Sequence, residues 1–173
     1  MSKWLLRGLV FAALMVIVRL LQGAMINAWE TKAALISAIL VALYAVVALV
    51  WGYVDGRGDA RRNPDPERRA DYAMTWLLAG LFAGVVSGLV AWVIGLFYKN
   101  LYVEGLINEI TTFAAFTALL VFLSAIIGVA LGRWLVDRKR PDEPRRRETD
   151  DDRADTDVFA AVRDDQTQPV ENR

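Results

Sequence analysis

The stretch LMVIVRLLQG sets a permanent cation, Arg19, inside an otherwise apolar run. Ionisable side chains in such surroundings are rare, and they mark pathways, pairings or partners. If the apolar runs are helices, Trp92 and Thr117 fall at a comparable depth and Tyr44 one turn deeper, offering a cation–π face and hydroxyl acceptors to a guanidinium. Arg19, Tyr44, Trp92 and Thr117 are therefore the candidate binding residues. Three readings of Arg19 stay open. Gly23 could end the first helix early, leaving the arginine in a last turn with an outward path to water; Asn27 and Glu30 would then have capping-box spacing for the second helix. The arginine could instead be paired structurally inside a bundle, or meet a solute or partner.

Other chemistry is sparse. The chain has no cysteine and no histidine, which removes disulfides, thiolate nucleophiles, haem ligation and the usual zinc constellations. No metal site or cofactor is expected. Ser87, Ser124 and Tyr44 are the main polar groups in mid-run, and no buried base accompanies the serines, so no enzyme is expected. No apolar run carries Asp or Glu near its middle, the place where a proton-driven exporter normally keeps a titrating carboxylate. Asp55, Asp71 and Asp137 sit at one set of run ends and Glu30, Glu104 and Glu109 at the other, and all six read as boundary residues.

The runs that must hold these groups are four, at about 4–26, 33–54, 74–98 and 110–136. Each reaches the roughly 20 residues needed to cross hydrocarbon. The expected fold class is all-α: a polytopic membrane protein whose four transmembrane helices form a bundle of two helical hairpins over residues 1–137. Lys3, Arg7, the cluster Arg57, Arg61, Arg62, Arg68 and Arg69, and the group Arg133, Arg138, Lys139 and Arg140 mark one side, against Lys32 and Lys99 on the other. Positive loops stay cytoplasmic, so both termini are placed inside. Trp4, Trp51, Tyr53, Tyr72, Trp76 and Trp134 are expected at the inner interface, and Trp29, Phe97, Tyr98 and Tyr102 at the outer one. The connection DGRGDARRNPDPERRAD reads as a solvated loop, with Asp65-Pro66 resembling a helix start.

WLLRGL at Trp4 recurs as WLLAGL at Trp76, and a slightly larger offset sets Asn27 on Asn108 and Thr31 on Thr112, the pattern of a tandem parallel repeat. Gly80, Gly84 and Gly88 form small-xxx-small steps, as do Gly128 and Gly132. They suit close helix packing within the chain or a dimer seam, with the third helix as the packing hub. Residues 138–173 form a mixed-charge segment that cannot bury enough apolar surface to fold, and a disordered cytoplasmic tail is expected. Its one apolar island, Val158 to Val162, could order on a cytoplasmic partner.

The runs KWLLRGLVFAALMVIVRLLQGAMINAWET, NPDPERRADYAMTWLLAGL, LYVEGLINEITTFAAFTALLVFL and GRWLVDR resemble the actinobacterial, mycobacterial-type four-span membrane proteins of the bacterial four-helix drug/metabolite-transporter-like family, over about residues 1–140. The resemblance implies a bacterial plasma-membrane protein of transporter type. The residues suit a small anionic or amphipathic solute, with a non-catalytic scaffold or accessory subunit of a cell-envelope complex as the other reading. Partners on these terms are the lipid bilayer and a second copy or another membrane protein; nothing in the sequence suits nucleic acid. Small multidrug exporters carry an essential glutamate in their first span, where this chain has Arg19 and Gln22. Reporter fusions at either terminus should signal from the cytosol and fusions in the 27–33 turn from the exterior; an exterior terminus would refute the topology.

Overall fold

The computed structural model describes residues 2–97 and 105–139. The expected tail beyond Lys139, and Tyr98, Lys99, Tyr102 and Glu104, lie outside the described residues. Four long helices make up the fold: α1 (Lys3–Ala28), α2 (Ala33–Arg62), α3 (Tyr72–Phe97) and α4 (Leu106–Asp137). Each is long and apolar enough to cross a membrane. Large side chains such as Ile17, Leu35, Leu43, Leu89, Phe116 and Leu123 face outward, as they would toward hydrocarbon and not toward water.

Several boundaries differ from expectation, each for a local reason. Gly23 does not stop α1; it is buried within the helix, which continues to Ala28 and closes with Trp29 N–H on the Met25 carbonyl. Asn27 therefore lies inside α1, and Glu30 opens a short 3-10 turn, Glu30–Lys32, with no side-chain cap, so the capping box is not formed. α2 continues about two turns beyond its apolar run, through Asp55 to Arg62. The Asp65-Pro66 start belongs to a 3-10 turn, Pro66–Arg68, where the Asp65 carboxylate accepts from Glu67 N–H at 3.0 Å. Asp71 caps α3 instead, accepting from Ala73 N–H at 2.8 Å.

The helices meet through small residues. α2 and α4 run parallel and share the most extensive contact, with α1 against α3 and α3 against α4 next, and α1 touching α2 sparsely. At the α2–α4 seam a Cβ on Gly52 would strike the Ala125 backbone and one on Gly56 the Val129 backbone; Cβ atoms on Gly128 and Gly132 would strike Leu49 and Tyr53. The contact is reciprocal, because Leu49 and Ala125, Gly52 and Gly128, Tyr53 and Val129, and Gly56 and Gly132 are all equally far apart in the chain. That is the geometry of a parallel small-xxx-small pair written twice, and it sets matching helices of the two hairpins side by side. α4, shared between two glycine seams, is thus the packing hub in place of α3. Gly80, Gly84 and Gly88 all serve packing inside the chain, on Ala118, Ala114 and Glu109 of α4.

An aromatic cluster fills the core: Phe11 lies 5.7 Å from both Tyr44 and Trp76, and Trp76 lies 6.3 Å from Trp51. Trp76, expected at an interface, is fully buried there, whereas Trp134, Trp29 and Phe97 are exposed. α1 packs chiefly on α3, where Gly8 approaches Ala79 and Phe82. Beside it an open apolar groove of about 370 Å³ runs along α3, lined by Leu9, Ala12, Val16, Ile17, Val86 and Val90.

Gly52→Leu should destabilise the full chain by at least about 3 kcal/mol, because the opposing atoms are backbone and cannot yield. Gly58→Ala, where a Cβ meets nothing within 4 Å, should instead stabilise by about 0.5–1 kcal/mol. Unfolding in detergent compares the two.

Candidate functional site

Arg19 stands on α1 nine residues before Ala28, which is about 14 Å of helix at 1.5 Å per residue. It is neither in a last turn nor reaching outward. Both ends of its guanidinium are taken by the carboxylate of Glu109: Nη1 donates to Oε2, and Nη2 donates to Oε1 at 3.0 Å. The pair is almost sealed, with side-chain exposures of 10% for Arg19 and 4% for Glu109. The guanidinium carbon also lies 4.2 Å from the centre of the Phe113 ring. Fork-to-fork pairing of this kind is the strongest ionic geometry available to these groups.

The placement of Glu109 corrects its reading as a boundary residue. α4 begins as a regular turn, Leu106–Asn108, then widens into a π turn over Glu109–Phe113 before continuing as Ala114–Asp137. In the π turn the Ala114 N–H reaches back to the Glu109 carbonyl. Such turns carry one residue more than an α-helical turn and are frequent at functional sites. The turn fits only because α3 presents glycine: a Cβ on Gly88 would lie 2.7 Å from the Glu109 carbonyl oxygen. Gly88 is nine residues before Phe97, again about 14 Å from a helix end. The two charged groups therefore share one level, and the last rung of the Gly80–Gly84–Gly88 ladder sets the acid opposite the arginine.

The other candidate binding residues lie elsewhere. Tyr44 is buried on α2 and donates its hydroxyl to the Phe11 carbonyl at 3.2 Å. Trp92 is half-buried on α3, and Phe113 occupies the aromatic face of Arg19. Thr117 is fully buried about two turns along α4 from Glu109, and its Oγ1 has no hydrogen-bond partner among the described residues. Next to Arg19 on the same helix, Gln22 donates to Ser37 Oγ at 2.8 Å, tying α1 to α2.

A second polar layer closes the opposite, basic end. Arg7 donates to Asp55 at 2.8 Å and stacks over Trp76 at 5.3 Å and Tyr72 at 5.9 Å. Arg133 pairs with Asp59 at 2.7 Å and donates to the Ala70 carbonyl at 2.7 Å. Arg69 holds Asp137 through two hydrogen bonds of 2.8 and 2.6 Å. Asp59 also accepts from Asn63 and from Ala70 N–H. The central connection, read as a solvated loop, is thus fastened to α2 and α4 by Asp59, Arg69 and Arg133. Among the described residues no group of three His, Cys, Asp or Glu side chains could hold a metal ion.

Sequence reasoning passed over Glu109, Phe113, the Arg7–Asp55 pair, and Gly52 and Gly56. The available signal was charge balance: a buried arginine requires an acid at its own level, and Glu109 borders the apolar part of α4 directly. Four helices long and apolar enough to cross a membrane, packed around an internal ion pair, make this an all-α helical bundle compatible with an integral membrane protein. Comparison with protein-family models and with curated proteins finds no match.

Removing one partner leaves the other charge buried. Arg19→Leu or Glu109→Leu alone should cost about 3–5 kcal/mol, whereas Arg19→Leu combined with Glu109→Leu should recover most of that loss. A double-mutant cycle on the unfolding of the full chain measures the coupling.

Proposed function

We propose that this chain is a small multi-pass protein of the bacterial plasma membrane, of transporter-like type, that moves a small anionic or amphipathic solute by displacing α1 relative to the other three helices. The observation that carries the reading is the Arg19–Glu109 pair, an ionic contact kept at apolar depth where a hydrophobic pair would pack at least as well. Support also comes from the way α1 is attached. α2, α3 and α4 are joined by glycine seams whose backbones touch, and such seams have one packing solution. α1 is held to α2 and α4 by polar ties: Arg7–Asp55 toward the basic end, Tyr44 to the Phe11 carbonyl midway, Gln22–Ser37 and Arg19–Glu109 toward the turn end. α1 also packs on α3, with Gly8 close to Ala79 and Phe82, and buries Phe11, Met15 and Val18 in the core, so its displacement must open that contact as well. Arg7–Asp55 and Arg19–Glu109 then act as an inner and an outer latch, opened one at a time. The resemblance of residues 1–140 to the drug/metabolite-transporter-like family points the same way, and the distribution of basic residues supports cytoplasmic termini.

Liposomes carrying the full chain should accumulate a labelled anion from a panel of small carboxylates and phosphate. The charge-free variant Arg19→Leu/Glu109→Leu, which keeps the fold, should lose that uptake. Equal uptake by the variant removes the reading. Absence of any uptake together with a stoichiometric membrane partner on gentle purification favours the scaffold.

A further inference from the structure

We propose that the face of the α2–α4 seam turned away from α3 holds, at its basic end, the headgroup of an anionic phospholipid, with the lipid phosphate on Arg57 in the place where an acid of the chain would stand and Arg138 as the second cation. The site belongs to the membrane setting and is independent of whether a solute is carried.

The register of the seam makes two arginines counterparts of one another. Gly132 meets the backbone of Tyr53 and Arg57, and the spacing that sets Gly52 beside Gly128 and Gly56 beside Gly132 also sets Arg57 beside Arg133 and Asp59 beside Leu135. Parallel helices matched in this way are related by a two-fold axis along the seam, so counterpart side chains emerge on opposite faces of the pair. Arg133 emerges toward α3. There it donates to Asp59 at 2.7 Å and lies 5.6 Å from the centre of the Tyr72 ring. Arg57 emerges on the other face and is exposed. On that face the counterpart of Asp59 is Leu135, which has no charge to offer. The pair's arginine is therefore present twice and its acid once.

Among the described residues Arg57 enters no ion pair and reaches the Tyr53 hydroxyl at 3.5 Å. Arg138 follows Leu135 by three positions and so projects from the same side of α4. Its guanidinium lies 5.3 Å from the Trp134 ring centre, and it too has no carboxylate partner among the described residues. The carboxylates of α2 and α4 at this end, Asp55, Asp59 and Asp137, are held by Arg7, Arg133 and Arg69. Two guanidiniums thus share one face without a compensating acid, and an anion complements them.

The surroundings select the source of that anion. Arg57 lies within one turn of Val54, where the apolar run of α2 ends, and Tyr53 and Trp134 have the character of side chains that sit at headgroup level. Toward mid-helix the same face carries Val46, Val50, Ile127 and Leu131, all exposed, a surface that suits acyl chains and not a soluble ion. Arginine offers phosphate oxygens the same fork of donors that it offers a carboxylate. Basic sites of this kind attract anionic lipids with a gain of roughly fivefold in affinity per cation.

Native mass measurement of the full chain, purified in mild detergent and mixed with equal amounts of phosphatidylglycerol and phosphatidylcholine, tests this. Wild type should retain phosphatidylglycerol in preference. Arg57→Gln should lower that retention about fivefold and Arg57→Gln/Arg138→Gln about 25-fold, with melting temperatures reporting that both are folded. Leu135→Asp, which supplies the missing acid, should pair with Arg57 and lower retention as Arg57→Gln does; should it not fold, Arg57→Gln decides. Arg68→Gln alters a connection arginine whose side chain is 83% exposed, and it should retain lipid as wild type does. Equal retention of the two lipids, unchanged retention in folded Arg57→Gln or folded Leu135→Asp, or an equal loss in Arg68→Gln overturns the proposal. So does a co-purifying protein that takes the place of lipid and is lost with Arg57→Gln.

Discussion

A guanidinium cannot be accommodated among apolar side chains unless an acid meets it at its own level, and that requirement organises one whole end of this bundle. Arg19 fixes where Glu109 must be. Glu109 can be there only if α4 approaches α3 closely enough, which Gly88 permits. Close approach is then continued down the same face by Gly84 and Gly80 against Ala114 and Ala118. An electrostatic demand at one point is met by steric permission along about two turns of helix, and neither would make sense without the other.

The rest of the bundle follows a different logic. The α2–α4 seam involves no charge over its apolar length; it is a surface of backbone contacts in which each helix supplies the glycines that the other one fills. Without a hydrophobic driving force between helices in lipid, contact of this kind is what holds spans together. The basic end adds ion pairs that fasten the central connection across α2 and α4. α1 joins this part through α3 and through Phe11, Met15 and Val18 in the core. It borders an open apolar groove on α3 and is tied across to α2 and α4 by individual side chains.

Much of the architecture was legible in the residues. Four apolar runs, the glycine ladder of α3 and the small pair of α4 all fell where helices and seams occur, because length and side-chain size act locally. What was not legible involved choices between distant groups. Glu109 lies at the border of its run, where an acid ordinarily faces water, and only the close approach at Gly88 draws it inward. Gly56 falls in DGRGDARRNPDPERRAD, a stretch whose charges read as a loop, although α2 carries on through it because Asp55 and Asp59 find Arg7 and Arg133. Gly52 sits at the end of its apolar run with no second small residue of that run four positions on. Gly23 looks like a helix stop, yet it is buried in mid-helix. Trp76 shares the composition of an interfacial belt and instead joins Phe11 and Trp51 inside.

The π turn at Glu109–Phe113 has one outcome of a different kind. An additional residue in a helix advances its azimuth by about 100°, so everything before Ala114 is swung round relative to everything after it. The direction in which the carboxylate points is consequently a property of residue count, not of residue identity. Losing a single position there would leave the remainder of α4 seated as before while turning the acid off the arginine's bearing. Substitutions remove or weaken the charges of such a site, whereas the insertion or deletion of one residue redirects them.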